Sequence, residues 1–378
     1  MAEVVLMDDA ARADATLRSL GWDDRLVALL AAEAPGLVPG RILAEERGLY
    51  SVASADGEHA ASPSGRLRFD AELDPTAAWP AVGDWVAMEP LAAGSSGAGE
   101  HRLVQRVLPR RTAVIRRAPG DRERTSQVLA ANVDAVFIVT SVNAEFNVRR
   151  LERYMTLAWE SGATPVVVLS KSDLAGDIED IRLQAESAAP GVQVIAVSSV
   201  TGEGLDAVRA HLGAGRTVVF TGSSGVGKSS IVNALAGAPL LDTGGIREDD
   251  ARGRHTTTRR QLVRLADGLL IDTPGLRELG VLDGEGLSNA FEDVEALASQ
   301  CRFSDCSHRS EPGCAIRAAI AHGELPADRF AAYQKLEREA YRSVLATDAL
   351  ARRAERKKWS QISKSVDVHM RFKYGAER

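Results

Sequence analysis

The spacing of apolar and polar positions changes twice along the chain. From Asp9 to Glu33, Leu17, Leu20, Leu26, Leu29 and Leu30 recur at helical intervals. This predicts an amphipathic helix, or a pair broken at Gly21-Trp22 and ended by Pro35-Gly36 and Pro39-Gly40. From Gly40 to about Arg117 the pattern is short and alternating. Arg41–Ala44, Leu49–Val52, Gly65–Phe69, Trp85–Met88 and Leu103–Val107 predict five strands. Asp56-Gly57, Pro63-Ser64-Gly65, Val82-Gly83-Asp84 and the flexible stretch Ala93–Gly99 separate them. Five short strands predict a small closed β-barrel of the OB-fold kind, an architecture that binds nucleic acid. Its arginines (Arg66, Arg68, Arg102, Arg106, Arg110, Arg111, Arg116 and Arg117) suit phosphate contacts, or alternatively form a solvated face.

From about Ala130 the pattern becomes α/β. Ala135–Thr140, Pro165–Leu169, Val192–Val197 and Thr217–Thr221 are near-continuous apolar runs, as buried parallel strands require. Helical segments at Val148–Ser161, Asp177–Ala189, Gly204–Leu212 and Ser230–Ala236 alternate with them. Leu262–Leu265 and Gly268–Ile271 flank a hairpin turn at Ala266-Asp267-Gly268. The alternation predicts a mainly parallel sheet with ligands at the carboxyl ends of its strands. Arg317–His322 and Ala327–Ala349 are again helical, and a tail rich in Arg and Lys follows.

Between the strand at Thr217 and the helix at Ser230 lies Gly222-Ser223-Ser224-Gly225-Val226-Gly227-Lys228-Ser229-Ser230, which fits the phosphate-binding pattern G-x-x-x-x-G-K-[ST]. The glycines let successive N–H groups turn inward around phosphate oxygens, and the helix start adds partial positive charge. Lys228 is expected to reach the β- and γ-phosphates, and Ser229 to ligate Mg²⁺. The motif alone leaves ATP and GTP open.

Three other strand ends carry polar turns. Ser170-Lys171-Ser172-Asp173 offers a carboxylate that can accept both the N1 and N2 hydrogens of guanine. Adenine has no such pair, so Asp173 rejects it by being left unpaired. Ser198-Ser199 lies where a polar loop contacts guanine O6. Asp272-Thr273-Pro274-Gly275 is expected to hold Mg²⁺ through water at Asp272 and to sense the γ-phosphate at the Gly275 N–H. Before it, in the loop from 240 to 260, Thr256, Thr257 and Thr258 could complete the Mg²⁺ shell. In ordinary GTPases the phosphate loop comes first and the guanine-reading turns last. Here that order is rotated, so the core is circularly permuted, a change that leaves sheet contacts intact.

The three cysteines of the chain fall together in Cys301-x4-Cys306-x-His308-x5-Cys314. Three thiolates and an imidazole at this spacing suit a closed, structural zinc site. With 378 residues, 45% hydrophobic, 26% charged and a net charge of −6, the chain reads as globular and not uniformly basic. It shows neither a long apolar run nor a secretory signal pattern, so a cytoplasmic protein without membrane contact is expected. The segments read as a helical extension (1–37), an OB-fold barrel (38–118), a permuted GTPase domain (119–280) and a zinc-binding helical domain with a basic tail (281–378).

A barrel, a permuted GTPase core and a Cys3His module, in that order, resemble the bacterial ribosome small-subunit-dependent GTPase A (RsgA) family. The most specific shared parts are Gly222–Ser230, Arg254-His255-Thr256-Thr257-Thr258, Asp272–Gly275 and the zinc spacing. The resemblance implies a monomeric GTPase that binds the 30S subunit late in maturation, is stimulated by it, leaves after hydrolysis, and grips 16S rRNA with barrel and zinc module. One position departs: Ser170 stands where the family motif Asn-Lys-x-Asp has Asn, which bears on affinity and not on base identity. Leu276 stands where Ras-like enzymes place a water-orienting Gln, so slow intrinsic turnover is expected. His255 is the candidate to orient water, a reading the resemblance supports. A nucleotide-gated RNA-binding module with little hydrolysis is the alternative.

Overall fold

A computed structural model describes residues 2–46, 48–74, 79–91, 101–117, 126–143, 146–241, 260–272, 285–347, 353 and 355–357. The chain divides into two compact units, Met1–Gly120 with Thr125–Gly280, and Val281–Arg378 with Asp121–Arg124.

The first unit opens with α1 (Ala2–Ser19) and α2 (Asp24–Glu33). Asp23 caps α2 by accepting from the Leu26 N–H at 2.9 Å. Leu17, Leu20, Trp22 and Leu26 are buried, so the apolar stripe packs as its spacing requires.

Five strands then close a barrel: β1 (Val38–Glu46), β2 (Leu49–Ser54), β3 (Gly57–Pro63), β4 (Trp85–Met88) and β5 (Arg102–Val107). The pairing runs β1–β2–β3–β5–β4 and returns to β1, with β3 and β5 parallel. Pro39-Gly40, read as a helix end, lies within β1. Ile42, Val52, Ala61, Val86, Met88 and Val104 fill the interior.

The barrel corrects one strand. Gly65–Phe69 is helical, the first part of α3 (Gly65–Leu73). The Ser64 hydroxyl accepts from the Leu67 N–H at 3.2 Å, and Leu67 and Ala71, four apart, are the buried pair. A side-chain cap and an i, i+4 face thus outweigh the apparent alternation. The strand that alternation missed is β3, whose inward residues His59, Ala61 and Pro63 are too small or polar to stand out. Also missed is a separate hairpin of β6 (Ala113–Arg117) and β7 (Ser126–Ala131).

The second sheet region is the expected one. Strands β8 (Ala135–Ser141), β9 (Thr164–Ser170), β10 (Val194–Val197), β11 (Thr217–Thr221), β12 (Gln261–Leu265) and β13 (Gly268–Asp272) lie in the order β10-β9-β8-β11-β13-β12. All pair in parallel except the β12–β13 hairpin. Helices α4 (Val148–Glu160), α5 (Ile178–Ala188), α6 (Leu205–Arg209) and α7 (Lys228–Ala236) alternate with the strands. Phe137, Val139, Val168, Val218, Ile231 and Leu270 form the core, with the Phe137 and Phe220 rings stacked at 4.8 Å. β1 joins β12 through Ala44 and Gln261, so barrel and core share one hydrogen-bonded sheet.

Arg41 ties this unit together. It is 2% exposed and donates to the carbonyls of Leu20, Gly83 and Asn132 and to the Thr217 hydroxyl. Its guanidinium lies over the Trp85 ring, 5.4 Å from the centroid. Burial pulls its pKa down to about 10, which leaves it charged at neutral pH.

The second unit holds α8 (Glu285–Ala290), α9 (Glu292–Ala298), α10 (Ala315–His322) and α11 (Ala327–Thr347). Arg329 of α11 grips the Asp293 carboxylate at 2.6 and 2.7 Å and lies over the buried Phe291 ring. Among the described residues no helix is long and apolar enough to cross a membrane.

Candidate active site

Parallel pairing brings the ends of β8, β9, β10, β11 and β13 to one edge, and the polar turns meet there. The phosphate loop leaves β11 at Gly222, whose φ of +138° and backbone contacts admit no side chain: a Cβ there would sit 2.2 Å from the Val139 carbonyl oxygen. Gly227, at φ +93°, starts α7 in the left-handed region with no side-chain cap. The first N–H groups of α7 therefore keep their capacity for phosphate oxygens. Lys228 lies back across the loop, its Nζ donating to the Gly222 carbonyl at 2.8 Å and the Ser223 carbonyl at 2.6 Å.

The turn at Ser170–Asp173, expected from the sequence to read guanine, is fastened to this loop. Ser170, at the end of β9 and 2% exposed, donates its hydroxyl proton toward the Val226 carbonyl at 2.5 Å, with the Thr140 carbonyl at 3.2 Å as second acceptor. Lys171 follows at φ +59°, with its Cε 3.9 Å from a Cβ placed on Gly227. Asp173 sits in the one-turn helix Ser172–Leu174. The Ser198 hydroxyl donates to Asp173 Oδ1 at 2.6 Å and itself accepts from the N–H groups of Val200 and Thr201. Ser198 is fully buried, so its contact is with Asp173, while Ser199 is half-buried beside it. One Asp173 oxygen is thus held by Ser198, which restricts the orientation of the carboxylate.

Asp272 ends β13, three strands along from the turn at Ser170 and adjacent to β11. Burial pushes its carboxyl above the usual carboxylate range, and the Lys228 ammonium pulls against that. Such a half-buried acid near Lys228 of the phosphate loop fits a site for a dication, which would remove the desolvation cost. His255, Thr256, Thr257, Thr258 and the stretch from Thr273 to Leu276, with Gly275, lie outside the described residues.

One neighbour of the loop was not anticipated. Arg150, in the first turn of α4, donates from Nη1 to the Ser223 hydroxyl at 2.7 Å. Its sequence signal is weak, since an arginine in a first turn is ordinary; only the packing of α4 on β8 and β9, with β8 paired to β11, places it there.

In the second unit Cys301, Cys306, His308 and Cys314 converge, with ligand atoms within 4.8 Å of one another. Cys301 Sγ and Cys314 Sγ each lie 3.5 Å from His308 Nδ1 and 4.0 Å apart. Zinc bonds of about 2.3 Å to sulfur and about 2.0 Å to nitrogen give tetrahedral edges of ~3.8 Å between sulfurs and ~3.6 Å between sulfur and nitrogen. The triangle of Cys301, His308 and Cys314 is close to those edges, and Cys306 lies within 4.8 Å of it. Burial opposes ionisation of Cys301, but the N–H groups of Ala315 and Ile316 at the start of α10 outweigh it and hold the thiol below its usual range.

The barrel arginines are more committed than their count implied. Arg102 pairs with Asp56, Arg106 with Glu33, Arg110 with Asp84 and Arg111 with Asp134. Half of that set is therefore engaged inside the protein.

The RsgA GTPase family model matches residues 107–282. A small ribosomal subunit biogenesis GTPase RsgA of Streptomyces coelicolor is 44% identical over 368 residues, covering 96% of this chain and 97% of its own. The chain belongs to the RsgA family. It is a circularly permuted GTPase with a closed five-stranded barrel. A second family member, RsgA 2 of Lactiplantibacillus plantarum, is 46% identical over 80% of this chain and 84% of its own. The crystal structure of YjeQ from Thermotoga maritima superposes with a TM-score of 0.58 at 27% identity, over 80% of this chain and 98% of that one. YloQ, described as a circularly permuted GTPase, gives 0.56 at 23% identity and supports the fold.

Proposed function

We propose that this GTPase acts in maturation of the small ribosomal subunit, with hydrolysis stimulated by that subunit and followed by release from it. Relatives over nearly the whole chain are named small ribosomal subunit biogenesis GTPases. The observation that carries the site reading is the fastening of Asp173 to Ser198 and of Ser170 to the phosphate loop, which supports reading the two turns as one nucleotide site.

In this reading GTP lies with its base against Asp173 and its phosphates along Gly222–Ser230. Lys228 swings from the loop carbonyls to the β- and γ-phosphates, exchanging two neutral acceptors for charged ones. Ser229, Asp272 and Thr257 or Thr258 are the residues that would hold Mg²⁺, which when bound neutralises charge between the phosphates. The Gly275 N–H senses the γ-phosphate. His255 orients the attacking water, a task for which Leu276 has no donor or acceptor. We read the barrel as an OB-fold and the cysteine module as a zinc domain, both contributing to rRNA contact. Arg66 and Arg68 of α3 are exposed and carry none of the ion pairs that occupy Arg102, Arg106, Arg110 and Arg111.

Phosphate release from GTP is to be measured with and without purified 30S subunits, for the native chain and for His255→Ala. The native chain is expected to accelerate with 30S. His255→Ala should bind nucleotide normally and lose about 10²–10⁴-fold of the stimulated rate. Unchanged stimulated hydrolysis in His255→Ala sinks the role of the histidine, and turnover indifferent to 30S subunits sinks the functional reading.

A further inference from the structure

We propose that Arg150 is the cation this chain supplies, from within itself, to the γ-phosphoryl group during hydrolysis. The inference rests on reading Gly222–Ser230 as the phosphate cradle. Three observations carry it. The first is placement. β8 pairs directly with β11, with Ile138 opposite Thr221, so the helix that follows β8 starts beside the loop that follows β11. Asn147 caps α4 by accepting from the Arg150 N–H at 2.9 Å, which fixes the arginine backbone in the first turn.

The second is the state of the guanidinium. Arg149, next to it, is committed to both oxygens of the buried Glu152 at 2.7 Å. Arg150 instead spends one N–H on a neutral hydroxyl, that of Ser223, and has no carboxylate partner among the described residues. A guanidinium has five N–H donors, so four remain for phosphate oxygens. The residue is exposed, and a side-chain rotation alone redirects it.

The third is convergence. Lys228 Nζ contacts the carbonyl of Ser223 while Arg150 contacts its hydroxyl, so two cations meet at the second residue of the phosphate loop. Like charges brought together this way repel until an anion fills the loop. Hydrolysis then calls for such a group, because its transition state spreads charge over the equatorial oxygens of the transferred phosphoryl. A planar fork matches those oxygens better than a point charge does. His255 and Arg150 have separate tasks in this scheme, water for the one and phosphoryl charge for the other. The chemistry balances as simple hydrolysis: water oxygen bonds to the γ-phosphorus, the bond to the β–γ bridging oxygen breaks, and GDP and inorganic phosphate leave. Arg150 gains and loses no proton.

The test compares the full-length native protein with Arg150→Ala and Arg150→Lys. Single-turnover hydrolysis, GTP KM, and the affinities for GDP and for GDP with aluminium fluoride are measured on each. Arg150→Ala is expected to lower kcat about 10²- to 10³-fold. Its GDP affinity should stay within about twofold, and the extra affinity conferred by aluminium fluoride should fall in step with kcat. Arg150→Lys should recover part of both. Unchanged kcat overturns the proposal. So does a parallel loss of GDP affinity and kcat, which would make Arg150 a brace for the loop. Lys228→Ala is the separate check on the cradle: normal GDP binding there would show that the loop reading itself is wrong.

Discussion

Replacing Ser170 by alanine removes a polar side chain that joins the proposed guanine-reading turn to the phosphate loop. The hydroxyl carries a single proton, so of its two acceptors, Val226 O at 2.5 Å and Thr140 O at 3.2 Å, only one is bonded at a time, and the shorter contact is taken as that bond. Both carbonyls lie in a region where Ser170 is 2% exposed, so water does not readily replace the lost donor. A buried neutral hydrogen bond is worth about 1–1.5 kcal/mol net. If the strut acts on the bound geometry, this converts to a 5- to 12-fold weaker Kd, approximately, for GDP and GTP alike. The preference for guanine over adenine should persist, because Asp173 and its bond from Ser198 are untouched. Titration with a fluorescent guanine nucleotide, repeated in competition with ATP, reads both quantities. Wild-type affinity in Ser170→Ala would refute the strut. A loss of guanine preference would place base selection at the wrong residue. Asp173→Ala serves as contrast, since it should lose selectivity.

Two further outcomes follow from other parts of the molecule. Purified native protein should carry one zinc per chain by metal analysis, and Cys314→Ser should lose most of it together with thermal stability of the second unit; full zinc content in that variant would contradict the Cys3His assignment. Arg110→Ala should cost about 3–5 kcal/mol in denaturant unfolding, because it strands the Asp84 carboxylate, which has no exposed side-chain surface. Burial already raises the Asp84 pKa and Arg110 pulls it back, so without Arg110 it rises further. A native-state acid with a raised pKa binds more protons than the unfolded chain, so the deficit of the variant should grow as pH rises past the native Asp84 pKa of the wild type, itself above the usual carboxylate range. A deficit that grows instead on acidification would refute this.

The local order of motifs was legible because each depends on short-range chemistry. A glycine-rich turn between an apolar strand and a helix, a carboxylate after a strand, and three cysteines with a histidine at close spacing identify themselves without distant contacts. The permutation was legible for the same reason, since it is a statement about order along the chain. The barrel was half legible. Its five strands were expected and found, but one was placed on Gly65–Phe69, where the Ser64 cap and the Leu67–Ala71 face make a helix. The true strand, Gly57–Pro63, buries His59 and Ala61, residues whose burial no alternation of large apolar side chains reveals.

What only the tertiary structure decided is which charged and polar groups meet across large sequence separations. Four of the barrel arginines counted toward nucleic-acid contact were found in ion pairs with Asp56, Glu33, Asp84 and Asp134. Ser170, an apparent defect in the guanine motif, was found spanning 56 residues to the phosphate loop. Arg41 gathers three carbonyls and the Thr217 hydroxyl from four segments, and Arg150 reaches Ser223 across 73 residues. The sequence by itself determined most of the elements, the motifs and their rotated order, because periodicity, turn chemistry and ligand spacing act within a few residues. The partners of each ionic group were decided by sheet order and helix packing, because a hydrogen bond constrains position in space and leaves the intervening chain length free.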